Sequence, residues 1–121
     1  METTQAIDAL AALAHETRLK VFRLLVQAGP EGLPAGTIAE RLDLAPATLS
    51  FHLAHLSRAG LALSRQEGRF VIYSANFPGT NALVAFLTEN CCGGRSCAPA
   101  GKPQTPKGAA DETLSRARRR A

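Results

Sequence analysis

Between Pro46 and Ala75 the hydrophobic period of the chain changes once, at Gly60, and this change limits the architecture more than any other feature of its 121 residues. Before it, in PATLSFHLAHLSRAG, Leu49, Leu53 and Leu56 fall at i, i+4 and i+7, the spacing of one buried helical face. Pro46 suits the first turn, where its missing N–H is not needed, and Gly60 ends the helix in the left-handed conformation that only glycine enters cheaply. After it, LALSRQEGRFVIYSA alternates in two runs about Glu67-Gly68, which reads as a β-hairpin with a tight tip.

Upstream, Ala6, Ile7, Leu10, Leu13 and Ala14 form a short apolar helical stripe. A second helix, in TRLKVFRLLVQAG, places Leu19, Phe22, Leu25 and Val26 on one side and ends at Gly29 and Pro30. Pro34 opens a third helix with Ile38, Ala39 and Leu42 as its buried face, and Asp43 and Leu44 turn the chain into the helix at Pro46. A last helix is expected over about Thr80 to Asn90, carrying Leu83, Val84, Phe86 and Leu87. The expected fold is α+β and mainly helical. Two short helices joined by a tight turn and followed at once by a hairpin give the order of a winged helix-turn-helix; any small α+β domain is the alternative. With 45% hydrophobic residues, five Phe, one Tyr and no Trp, the core is modest and aliphatic, so dimerisation is expected. Residues 1–97 form one domain. Beyond it Pro99, Gly101, Pro103, Pro106 and Gly108 accompany few apolar residues, and 98–121 is read as a disordered basic tail.

The net charge of +4 suggests nucleic acid only after its distribution is considered. Residues 1–101 hold eight Arg/Lys and eight Asp/Glu, so the whole excess lies in the last twenty residues. Locally, however, no acid occurs between Leu44 and Gln66, a window that contains His52, His55, Arg58 and Arg65. Opposite Leu49, Leu53 and Leu56 the helix presents Ala47, Phe51, Ala54, His55 and Arg58, with Thr48 beside them. Phe51 either contacts a thymine methyl in the major groove or packs on a neighbouring helix, whereas Thr48 and Ser50 bond to bases or phosphates. His52 lies at the edge of the buried stripe, either as a DNA contact or as a hydrogen-bonded boundary residue. Arg65 and Arg69 flank the hairpin tip, in reach of phosphates or the minor groove unless simply solvated.

No basic segment precedes an apolar core at the N-terminus, and no run approaches the roughly 18 apolar residues of a membrane span, so a cytoplasmic protein with no membrane partner is expected. The three cysteines all lie in ENCCGGRSC. Three thiols cannot all pair within one chain and a bridge between neighbours is strained, so they are read as ligands or redox groups. No general base accompanies them and no Gly-rich nucleotide loop is present, which argues against an enzyme.

The segments AHETRLKVFRLL, LDLAPATLSFHLAHLSRAGLA and, in the hairpin, EGRFVIY make the sequence similar to the ArsR/SmtB family of bacterial winged-helix regulators, over roughly residues 5–97. One departure is Ala45, where a capping serine is common. The resemblance implies a homodimer built on the first and last helices that binds operator DNA as a repressor, an inverted repeat matching its two-fold symmetry. It also locates the inducer site by comparison with other members. LPAGTIAERL contains no cysteine, and the last helix offers no histidine and only Glu89, so two of the family's usual sensing sites are missing. Cys91, Cys92 and Cys97 resemble the C-terminal arsenite site of some members. Three soft thiolates suit trivalent arsenic or antimony, including methylated arsenite, while Zn²⁺ wants a fourth ligand. Cadmium or lead sensing, thiol oxidation and a non-regulatory architectural DNA-binding role are the alternatives.

Overall fold

The computed structural model of the protein describes residues 1–94. Its elements follow in the order α1 (Thr3–Leu13), α2 (Glu16–Ala28), β1 (Leu33–Pro34), α3 (Ala35–Leu42), α4 (Pro46–Arg58), β2 (Ala62–Glu67), β3 (Phe70–Ala75) and α5 (Phe77–Leu87). This is the expected winged helix-turn-helix: α3 and α4 are the helix pair, and β2 and β3 the wing. A first unit covers Met1–Leu87; the second begins at Thr88 and is described as far as a 3-10 turn at Cys91–Gly94. The predicted tail, 98–121, lies outside the described residues.

The core gathers on α4, whose Leu49, Leu53 and Leu56 are fully buried as their spacing requires, against Val21, Phe22 and Leu25 of α2 and Ile38 of α3. Pro46 is at the first turn of α4 and Ala45 precedes it without a side-chain cap. Asp43 turns the α3–α4 joint at φ 54, and Gly60 closes α4 at φ 81. The sheet is antiparallel in the order β1-β3-β2, with Leu33 opposite Tyr73 and Arg65 opposite Ile72. The two-residue tip is Gly68-Arg69, one position later than Glu67-Gly68; Gly68 has φ 62 and Arg69 no positive φ, the pattern of a type II′ turn.

Three helical expectations change. The buried face of α1 is Ala6, Ala9 and Ala12, while Ile7 and Leu10 are 58% and 43% exposed. On α2, Val21 replaces Leu19 and Val26 in the core, and both of the latter are exposed. The last helix stops at Leu87 and starts three residues early, because Asn76 caps its first turn: its Oδ1 accepts from the Gly79 N–H at 3.1 Å and its carbonyl from Thr80 N at 2.8 Å. No helix among the described residues is long and apolar enough to cross a membrane.

Candidate nucleic-acid interface and thiol site

The turn between α3 and α4 is tight because Asp43 adopts the left-handed conformation, and it leaves the polar side of α4 uncovered. Thr48, Ser50 and Arg58 are exposed there, and Phe51 is 58% exposed. A buried leucine face on the same helix fixes which way these side chains turn. Phe51 is thus not packed into a neighbouring helix; its ring meets the edge of His55 at 4.6 Å between centroids. That contact leaves His55 half-buried. Its pKa is lowered, first by desolvation and then by the positive charges of Arg18 and Arg58.

His52 is not on this face. It is 6% exposed and turned inward, its ring centroid 4.9 Å from that of His15 and its Nδ1 3.5 Å from Nη1 of Arg18. Burial is the first cause that lowers its pKa, followed by His15, Arg18 and His55. The structure therefore withdraws His52 from the side chains offered to DNA, and the reason is geometric: three residues after Leu49 and four before Leu56, it shares the inward side of the helix. His15 and Arg18 join the site without having been predicted. The signal lay in AHETR, where His15 precedes the first turn of α2 and its Nδ1 caps the Thr17 N–H at 3.2 Å.

The wing carries two different arginines. Arg65 is braced: its Nε donates to Glu67 Oε2 at 2.6 Å and its Nη2 to the Glu31 carbonyl at 2.8 Å, tying β2 to the loop after α2. Arg69 occupies the tip and makes no hydrogen bond or ion pair among the described residues. The structure thus brings Thr48, Ser50, Phe51, His55 and Arg58 onto one exposed helix side, with Arg69 at the end of the wing.

Past α5 the backbone turns left-handed at Asn90 and Cys92, with φ 58 and 57, so the thiols lie on a coiled turn and not on a continuing helix. Cys91 and Cys92 are exposed, and their Sγ atoms are 3.6 Å apart. Cys97, the third predicted ligand, lies outside the described residues. Among the described residues no three His, Cys, Asp or Glu side chains gather as a metal site.

This chain matches a helix-turn-helix domain family over residues 13–65. It is 32% identical over 90 residues to the transcriptional activator HlyU of Vibrio cholerae, covering 74% of this chain and 81% of HlyU. A putative arsenical resistance operon repressor of Halobacterium salinarum is 37% identical over 79 residues, 65% of this chain and 60% of that protein. Among solved structures, an ArsR-like transcriptional regulator from Rhodococcus superposes with a TM-score of 0.66 at 27% identity, over 74% of this chain and 82% of that one. With the helix pair, the wing and these relatives in agreement, the chain belongs to the ArsR-type family of winged helix-turn-helix transcriptional regulators, which are DNA-binding proteins and not enzymes.

Proposed function

We propose that the chain is a dimeric repressor that binds an inverted-repeat operator through α4 and the wing, and that trivalent arsenic releases it by binding Cys91, Cys92 and Cys97. The observation that carries the inducer is the pair of exposed thiols with sulfurs 3.6 Å apart. With metal–sulfur bonds of about 2.3 Å, as in zinc thiolates, two thiolates on one ion lie a little under 4 Å apart. One soft ion therefore fits this pair with little rearrangement, and Cys97 supplies the third sulfur that arsenite or antimonite takes up. Methylated arsenite needs only two. The Halobacterium relative is named for arsenical resistance, which supports the same class of inducer.

Three residues separate the end of α5 at Leu87 from the first thiol, Cys91. Ligation there would alter how the last helix meets its copy, and with it the angle between two recognition helices that must enter successive major grooves. Allosteric couplings of about 1–3 kcal/mol correspond to a roughly 5- to 150-fold loss of operator affinity.

Fluorescence anisotropy on the chain's own promoter fragment, with and without arsenite, tests this reading. Arsenite should release the wild-type protein. Serine at any one of the three positions replaces a soft thiolate by a hard hydroxyl, so each variant should bind DNA and ignore arsenite. Release by cadmium, lead or peroxide but not by arsenite would transfer the function to those inducers. Equal binding to random DNA, unaffected by any of them, would make the chain an architectural protein.

A further inference from the structure

Two of the chain's three histidines, His15 and His52, meet on the inner side of the recognition helix, together with an arginine that the DNA reading leaves unused. Arg18 is half-buried on α2 and reaches in two directions. Its Nε donates to the Ala12 carbonyl at 2.8 Å, one of the last-turn carbonyls of α1 that helix geometry leaves without an intrahelical partner. Its Nη1 lies 3.5 Å from Nδ1 of His52 on α4. A guanidinium has only donors, so this contact exists only while His52 Nδ1 carries no proton.

We propose that Arg18 is a positioning residue for DNA binding: it fastens the end of α1 to the recognition helix through the neutral ring of His52, and a proton on that ring undoes the fastening. The inference rests on α4 being the helix that enters DNA. The charged and titratable groups acting on the ring are His15 and Arg18 from α2 and its cap, and His55 on α4 itself; among the described residues α1, α3 and β2 contribute none. Asp8 of α1 and Arg58 line, with Arg18 and His55, an open cleft of about 410 Å³ next to the junction. The charges of His15, Arg18 and His55 all oppose an imidazolium at His52. Burial favours the same neutral form.

The sign is diagnostic. Each new imidazolium adds positive charge, which by itself strengthens attraction to phosphate. The junction works the other way: its contribution is complete while His52 is neutral and is lost as pH falls through the lowered pKa of the ring.

The probe is a duplex that the full chain selects from a random pool, at constant ionic strength. Wild-type affinity should be full near pH 8 and fall about fivefold or more once the pH is about one unit below the midpoint of the His52 ring, read by NMR on the same protein. Arg18→Gln should already be weaker by a similar factor at the higher pH and show no further fall. Arg18→Lys keeps the charge but not the two-directional fork, and should behave like Gln. His52→Asn offers an acceptor that does not titrate and should flatten the profile. An affinity that stays constant or rises in acid, wild-type binding by Arg18→Lys, or an unchanged slope in Arg18→Gln overturns the proposal. A chain that selects no duplex overturns the DNA reading and this inference with it. If Arg18→Gln does not fold, NMR on the wild type decides: the Arg18 Nε–H and the α4 amides should titrate with the midpoint of the His52 ring, and independence from it refutes the coupling.

Discussion

Two residues at the starts of helices show how much local stability one side chain controls. Ala45 occupies the N-cap of α4 at φ −64 and ψ 142, a conformation that serine adopts freely, yet it contributes no acceptor to the first turn. Asn76 caps α5 fully, accepting from Gly79 N and also donating from Nδ2 to the Gly60 carbonyl at 2.8 Å. A capping oxygen is worth about 1 kcal/mol. Ala45→Ser should therefore raise the unfolding free energy by about that amount in urea titration. Asn76→Ala should lower it by about 1–2 kcal/mol, because a carbonyl contact is lost along with the cap. Equal stability of Ala45→Ser and the wild type would mean that Pro46 alone sets the start of α4. Both caps are readable as residue types, but only the first was found in the sequence, since Pro46 announces a helix whereas Phe77-Pro78-Gly79 resembles a loop.

At the scale of elements, what was legible follows from periodicity and what was not follows from size and partners. The leucine spacing of α4 and the hairpin of the wing need no tertiary knowledge, and both elements appear as expected, although burial in the wing is concentrated at the strand ends next to the core, at Ala62, Ile72, Ser74 and Ala75, and does not alternate along β2. In α1 the larger residues suggested the core, but Ala6, Ala9 and Ala12 are buried because small side chains let the helix approach α2 and α4 closely. The wing gives the same lesson for function: Arg65 and Arg69 are equivalent in composition, yet one is held by Glu67 and the Glu31 carbonyl and the other stands open at the tip. Arg69→Ala should accordingly weaken binding on specific and random duplexes alike and reduce the slope of log affinity against log salt by about one. Arg65→Ala should change the slope less, since its first loss is the brace. A slope that Arg69→Ala leaves unchanged would remove the tip from the phosphate contacts.

The whole molecule poses a question that one chain leaves open, namely what covers its exposed apolar surface. Ile7 and Leu10 on α1 and Val84 and Leu87 on α5 are between 43% and 58% exposed, and α1 and α5 pack against each other, so the four belong to the same pair of helices. A domain of this size buries too little of its own surface to leave such residues in water without consequence. In the proposed dimer, a second copy meeting the first through α1 and α5 would cover them and set two recognition helices on one duplex, the arrangement an inverted repeat demands. Specific affinity then depends on linkage: the second α4 binds at the effective concentration set by the first, which adds about 100-fold or more without any new contact. Ile7→Glu tests this because position 7 lies outside the core. The variant should keep the secondary structure of the wild type, sediment as a monomer, and bind the two-half-site duplex about 100-fold more weakly while losing little on a single half-site. A dimer of unchanged stability in sedimentation would assign the apolar face of α1 to another partner and move the dimer contact elsewhere.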